Sequence, residues 1–309
     1  MTGRTMWRKN ERKKLTVIYQ DGGVSARGSG MGSDGSQRAM RKRRVSAHGR
    51  PPDGDLDNEE RPNAALPQLG DVGKHVAAMA VDKGWAVTCV GPKDYRSVLS
   101  DTASVTKPQL HEQDERHVTS VAVDLSDPGD PGFDAALAGA DAVVVAAACR
   151  QPGWKLPHLK HRYSASVARA VVRVAGQRGD GGRGLRVVAV STPGIGDSAP
   201  ARIGNRLVSA IFQLMLDYVI PEATADMREM EETLATSNLD YLVVRPAGVT
   251  PEKRPSNAEV RWATATAKEQ REGAWVGLEI AKEDAAAFVL GEALEPTRHR
   301  TGVVVGGPV

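Results

Sequence analysis

From residue 64 onward, short apolar runs alternate with stretches in which apolar residues recur every three or four positions. The first pattern is that of buried strands and the second that of helices with one face inward. Asp71 to Lys83 reads as a helix with Val76, Met79 and Ala80 on one face. Ala86 to Val90 and His117 to Val123 read as strands. Phe133 to Ala138 is a short helix and Asp141 to Ala148 a buried strand. Ser164 to Gln177 is a helix and Leu185 to Val190 a strand. Ala201 to Tyr218 and Glu222 to Thr236 are helices, the second burying Met227, Met230 and Leu234. Tyr241 to Val244, Lys282 to Leu294 and Gly302 to Val305 give a strand, a helix and a final strand. Strands apolar along their whole length belong to a parallel sheet covered on both faces. Right-handed crossovers then predict an α/β fold with a doubly wound parallel sheet.

The first strand has two candidates. One is Leu15-Thr-Val-Ile-Tyr19, separated from the first helix by a long insertion. The other is a weak run at Asn63 to Leu66, directly before the helix. The first is favoured, because its β-branched content suits a central strand. A structureless insertion of that length inside a domain is abnormal, and a gene-model error over residues 20–66 would also account for it. Residues 20–63 hold eight glycines, scattered charges and few large apolar residues, so burial cannot offset their ordering entropy. The expected organisation is a largely disordered basic segment over residues 1–63 and one α/β domain over residues 64–309.

Charge sharpens that division. Residues 1–63 carry 14 Lys and Arg against 8 Asp and Glu, whereas the remainder is net negative. The basic balance of the chain therefore belongs to its N-terminal segment and gives no sign of a nucleic-acid-binding domain. Arg41-Lys-Arg-Arg44 reads first as a solvated charge run, with polyanion binding as the alternative. No apolar run reaches the ~20 residues of a membrane span. The N-terminus lacks the apolar core of a secretory signal, but its basic start leaves organellar import open. Only two cysteines occur, Cys89 and Cys149, each within a separate strand-like run. A reducing, cytoplasmic compartment is the simpler expectation.

Candidate chemistry starts at Gly70-Asp71-Val72-Gly73. Two glycines three apart at a helix start let the backbone approach a pyrophosphate, and the helix end adds free amides and a positive dipole. The full fingerprint has an earlier glycine, where this chain has Pro67, Gln68 and Leu69. The next strand ends at Val90, near the offset at which such folds read the ribose. Lys93 and Arg96 follow it, which points to a 2′-phosphate and hence NADP, with NAD as the alternative. Asp124, before Leu125, ends a strand and is a candidate for the adenine edge. Ala146, Ala147 and Ala148 end the next with side chains small enough for a nucleotide to pack on. His158 and His161 have metal-like spacing but lack Cys and acidic partners, so no metal site is expected.

Three longer segments carry a resemblance. Val187-Val-Ala-Val-Ser191-Thr192-Pro-Gly-Ile-Gly196-Asp197-Ser198 resembles the strand, Ser-Ser/Thr and Gly-x-Gly-Asp-Ser element of the atypical short-chain dehydrogenase/reductase family. Asp226 to Val249, with Glu231, Leu234, Ser237 and Arg245-Pro246, is similar to that family's Asp-x-x-x-x-Glu to Arg-Pro stretch. Glu279 to Phe288 is similar to its Ile-Ser-Arg-x-Asp-Val-Ala helix start. The nearest patterns are the NmrA-like and flavin/biliverdin-reductase-like branches, over about residues 64–307. The resemblance implies a Rossmann-type NAD(P)-binding domain. It implies a hydroxyl from Ser191 or Thr192 beside the nicotinamide, and a loop of Pro246, Ala247, Gly248 and Val249 closing the site.

One departure narrows the chemistry. Four residues after Tyr19, Tyr95, Tyr163, Tyr218 and Tyr241 stand Gly23, Leu99, Val167, Glu222 and Arg245. No Tyr-x-x-x-Lys proton relay exists. A histidine of the flavin-reductase-like branch is replaced by Met227 or Glu231. The leading expectation is an NAD(P)H-dependent oxidoreductase passing hydride to a small planar acceptor, a flavin, quinone or enone. The alternative is a non-catalytic NADP(H)-binding regulator or scaffold of the NmrA-like type. The acceptor and the oligomeric state stay open.

Overall fold

The strand favoured near the N-terminus forms, and it lies in the middle of the sheet. In the computed structural model, which describes residues 13–19, 69–91, 118–147, 163–179, 181–250 and 262–308, β1 (Lys14–Tyr19) pairs in parallel with two neighbours. On one side is β2 (Ala86–Gly91) and on the other β4 (Ala142–Ala146). Leu15 to Tyr19 are all buried. A strand flanked on both edges and covered on both faces needs the β-branched, unbroken apolar character of Leu-Thr-Val-Ile-Tyr.

The remaining strands are β3 (Val118–Ala122), β5 (Arg186–Val190), β6 (Asp240–Pro246), β8 (Ala263–Thr266) and β10 (Thr301–Gly306), in the order β3-β2-β1-β4-β5-β6-β10-β8. All neighbours are parallel except β8, which closes the edge antiparallel to β10. The chain moves outward from β1 to β3, then crosses back to β4 on the other side of β1. The direction of winding therefore reverses between β1 and β4, where ligands bind in such sheets. A separate pair, β7 (Gly248–Thr250) and β9 (Glu279–Ala281), lies beyond β6.

Alternation along the strands divides the core. Leu15, Val17, Tyr19, Ala142, Val144 and Ala146 meet α1 (Leu69–Asp82) and the C-terminal helix α7 (Lys282–Leu294). Ile18, Val143, Val145 and Ala147 face the other layer. That layer holds α2 (Gly132–Leu137), α3 (Tyr163–Gln177) and α5 (Pro221–Thr236). The expected α/β doubly wound sheet is thus the fold, with one antiparallel edge added.

Some boundaries differ from expectation. The helix anticipated from Ala201 begins only at Arg206 as α4 (Arg206–Tyr218), because Asn205 caps it by accepting a hydrogen bond from Val208 N at 3.0 Å. β7, β8, β9 and the short α6 (Ala267–Arg271) were not anticipated. Each is too short to show a period. No single helix among the described residues is long and apolar enough to cross a membrane.

The amino ends of β5, β6 and β10 are tied by a polar network. Buried Arg186 donates to Asp240 at 2.8 Å and to the carbonyls of Glu292 and Arg298. Burial alone would raise the Glu292 pKa, but hydrogen bonds from Thr297 and Arg298 outweigh it and hold the carboxyl below its ordinary 4.5. A depressed carboxylate stabilises the fold above its unfolded value, and that contribution disappears as pH falls through the folded one. Urea unfolding should therefore show wild-type stability dropping more steeply below pH 4.5 than that of Glu292→Gln. Parallel slopes would contradict this.

Candidate functional site

The candidate site lies at the carboxyl edge of the sheet, and α1 is fixed there by one glycine. Gly73, in the first turns of α1, faces the last residues of β1 and β4. A Cβ at residue 73 would lie 3.0 Å from Ala146 Cβ and 3.1 Å from Tyr19 Cβ. A glycine lets the helix come this close to the strands without crowding them. The N-terminal turn of α1 is thereby brought to the place where the winding reverses. The first amides of any helix have no partner within the helix, and with its dipole they can seat an anion. Of the two glycines in the motif, Gly73 packs the helix, which leaves Gly70 at the helix start. Val72 is fully buried in the core.

The β5 side of the site is built by charge. Arg245, near the end of β6, is 3% exposed. Its Nε donates to Glu231 Oε1 at 3.0 Å and its Nη2 to Glu231 Oε2 at 2.7 Å. Nη2 also meets the half-exposed Asp197 at 2.6 Å. Burial by itself lowers the Arg245 pKa, but Glu231 and Asp197 over-compensate and the net direction is upward, so the guanidinium stays charged. The Gly-x-Gly-Asp-Ser element folds around this cluster. Gly196 has φ +56°, and a Cβ there would lie 2.6 Å from Glu231 Oε2. Ser198 Oγ donates to Ile195 O at 2.8 Å and accepts from Gly194 N at 3.2 Å. The motif thus shapes the loop that carries Ser191 and Thr192.

Ser191 follows β5, and its amide donates to Val244 O at 2.8 Å. Its side chain is fully buried, and Oγ has no hydrogen-bond partner among the described residues. A buried hydroxyl left without a partner is costly in a finished structure, so a ligand group that bonds it fits the site. Thr192 is half-buried beside it. On the other side of β4, Ala146 and Ala147 are buried, and Ala147 O accepts a hydrogen bond from Ser164 Oγ. Asp226 of α5 caps the start of α3, accepting from Ser164 N and Ala165 N at 3.0 Å each.

Other anticipated positions have definite local roles. The Asp124 carboxylate accepts from Ser126 N at 2.9 Å and Ser126 Oγ at 2.6 Å, forming a turn at the end of β3. The Leu125 side chain lies in the core, so only its backbone faces outward chemistry. Pro246 to Val249 is not a free loop. Pro246 completes β6, Ala247 N donates to Val305 O at 2.7 Å, and Gly248 N donates to Leu278 O at 2.7 Å. Gly248 and Val249 belong to β7. This stretch is a fixed wall, because sheet hydrogen bonds claim its backbone. Lys93, Arg96, Ala148, Cys149, His158 and His161 lie outside the described residues, as does the Asp71 side chain. Among the described residues, no cluster of three or more His, Cys, Asp or Glu is placed to hold a metal.

The Arg245–Glu231–Asp197 cluster and the Asp226 cap received no role from sequence reasoning. One signal pointed to the first. An arginine inside the apolar run Leu242-Val-Val-Arg245 is buried, and a buried charge requires a carboxylate partner. The two positions that the resemblance sets against a histidine have structural partners. Met227 packs with Ile195, Leu216 and Ala223, and Glu231 is held by Arg245.

A family model described as NAD(P)H-binding matches residues 69–296. No curated protein matches the chain by sequence. Among solved structures, a wide-type short-chain dehydrogenase/reductase from Veillonella parvula, in complex with NADP, is 16% identical. That match covers 96% of this chain and 96% of that one, with a TM-score of 0.53. An anaerobilin reductase from Escherichia coli is 18% identical over 77% of this chain and 92% of its own, with a TM-score of 0.50. The oxidoreductase ylbE from Lactococcus lactis is 17% identical over 79% and 89%, also at 0.50. At these identities the likeness is one of fold.

Proposed function

The chain belongs to the NAD(P)H-binding family, and on that premise we propose that it is an NADP(H)-dependent oxidoreductase that reduces a small planar acceptor such as a flavin, quinone or enone. The observation that carries this reading is the position of α1. Gly73 holds its first turn against the ends of β1 and β4, at the reversal of the sheet. The amides opening α1, at Gly70, Asp71 and Val72, would bind the pyrophosphate. The turn at Asp124 and Leu125 would border the adenine. Lys93 and Arg96 follow β2 in sequence and suit a 2′-phosphate, which favours NADP over NAD. The Veillonella protein of the same fold, solved with NADP, agrees with that choice.

The nicotinamide half would rest on Ala146, Ala147 and Ala148, with Ser191 and Thr192 across from them. When bound, the reduced nicotinamide supplies the hydride. The Ser191 hydroxyl, buried and unpaired, would hold a polar group of the ligand in place. Pro246 to Val249 would wall the site without moving. The product takes its proton from solvent, with no protein acid assigned to the step. The fold is shared with an anaerobilin reductase, which fits a reductase reading.

NADPH consumption with FMN, FAD or a naphthoquinone tests the proposal. Turnover is expected, and Ser191→Ala should slow it about tenfold, the worth of one hydrogen bond to a ligand. The second reading, a non-catalytic NADP(H)-binding regulator, is favoured by one observation. Met227 packs in an apolar cluster and Glu231 is ion-paired with Arg245, so neither is free to serve the reaction. Binding of NADPH with no turnover by any acceptor selects that reading, and failure to bind overturns both.

A further inference from the structure

Helix α4 carries an apolar stripe that the described residues leave uncovered. Leu207, Ile211, Leu214 and Tyr218 are 70%, 59%, 60% and 76% exposed. Their successive spacings of four, three and four are those of a coiled-coil seam. The opposite side of the helix, with Ser209 and Leu216, is buried in the domain. The helix thus lies on the surface with its seam outward. Single exposed apolar residues are ordinary, but a continuous seam marks a contact surface.

We propose that this seam joins two copies of the chain, their α4 helices packed antiparallel about a two-fold axis. The stripe is self-complementary about the midpoint between Phe212 and Gln213. Leu207 and Tyr218 are equally distant from that point, and so are Ile211 and Leu214. A two-fold axis there sets Leu207 against the partner's Tyr218 and Ile211 against the partner's Leu214. A two-fold contact uses the same patch on both copies, and this one has the required symmetry.

Charge follows the same arrangement. Arg206 and Asp217 are exposed at opposite ends of α4. Antiparallel packing brings each Arg206 to the end where the partner's Asp217 lies, offset by two residues or ~3 Å along the axis. The two helix dipoles then oppose one another, which is favourable. Parallel packing sets like charges side by side. A lipid surface is the competing occupant, but α4 carries one Arg and one Asp, with no positive excess to meet anionic headgroups. The stripe has four residues, against the roughly 20–30 that each partner gives to a standard interface. The dimer is therefore weak and dissociates on dilution.

Sedimentation of the full chain over rising concentration tests this. The mass should climb from 32.9 kDa toward twice that value. Ile211→Glu and Leu214→Glu should each raise the dissociation constant at least a hundredfold, with unchanged circular dichroism and melting. Mixed Leu207→Cys and Tyr218→Cys chains should form a disulfide, identified by the mass of the linked peptides. Leu207→Cys alone should not, because the two copies of residue 207 lie ~16 Å apart along the axis, beyond the ~7 Å limit for bridged Cα atoms. A chain that stays monomeric up to about millimolar concentration, a range in which interfaces far weaker than standard ones associate, overturns the proposal. So does a dimer that survives both glutamate variants, or a Leu207→Cys chain that links to itself. Recruitment to phosphatidylcholine vesicles by a chain that stays monomeric also overturns it.

Discussion

Replacing Glu231 by alanine is expected to cost about 3–5 kcal/mol of folding stability, the range for breaking a buried ion pair. The reason is the state in which Arg245 is left. Its guanidinium is 3% exposed and loses two hydrogen bonds at once, at 3.0 and 2.7 Å. Asp197 stays at 2.6 Å but is half-exposed, so its attraction is partly screened by water. That remaining partner places the expected cost at the lower end of the range. Gly302 lies directly against the guanidinium, at a position where a Cβ would collide with it, so the arginine is packed in place by its neighbours. At ~2–4 °C per kcal/mol for a domain of this size, the melting temperature should fall by roughly 10 °C. The double variant Glu231→Leu, Arg245→Met should recover most of the loss, because an apolar pair removes the charge that was stranded. A loss below 1 kcal/mol for Glu231→Ala, measured by urea unfolding, contradicts the account of this cluster.

Gly73→Val is expected to abolish measurable NADP(H) binding and to cost about 1–3 kcal/mol, as overpacking does in a filled core. The first added carbon would lie 3.0 Å from Ala146 Cβ and 3.1 Å from Tyr19 Cβ, tighter than most carbon contacts, so the helix or the strands must give way. Valine adds two methyl groups beyond that carbon. The helix must then move off the sheet, and its first amides move with it. A control separates this local effect from a general one. Gly291 lies in α7, where an added Cβ meets nothing within 4 Å. Gly291→Ala should therefore be neutral or stabilising, by up to ~1 kcal/mol through helix propensity. A Gly73→Val chain that binds NADP(H) like the wild type removes the case for α1 as the seat of the cofactor.

The sheet was legible in the sequence because its strands are long enough to declare themselves. Val143-Val-Val and Val187-Val-Ala-Val cannot sit anywhere but between two covering layers. Leu15 to Tyr19 was legible on composition alone, although its partner helix lies far along the chain. β8, β9 and α6 were not, since three to five residues carry no period and are held by tertiary hydrogen bonds. The start of α4 was misplaced because apolar residues at 201 and 203 belong to the loop packed under it, and only the Asn205 cap marks the true boundary.

The site was legible in part. A glycine pair at a helix start announces an anion seat, but which glycine packs and which opens the backbone depends on what lies opposite, here Tyr19 and Ala146. Asp124 illustrates the same limit. Sequence places it correctly at a strand end, and the structure shows its carboxylate engaged in a turn with Ser126. The resemblance to atypical short-chain reductases carried the family, as the NAD(P)H-binding match bears out. It did not reveal that Asp226, Glu231 and Asp197 are scaffold. Those roles arise from pairings with residues tens of positions distant in the chain or folded from another layer.

Calorimetric titration of the intact chain with NADP+ and with NAD+ bears most directly on the central claim. Saturable heat at micromolar NADP+, weaker with NAD+, is the expected result. No heat from either nucleotide, under conditions where the protein melts cooperatively, would contradict it.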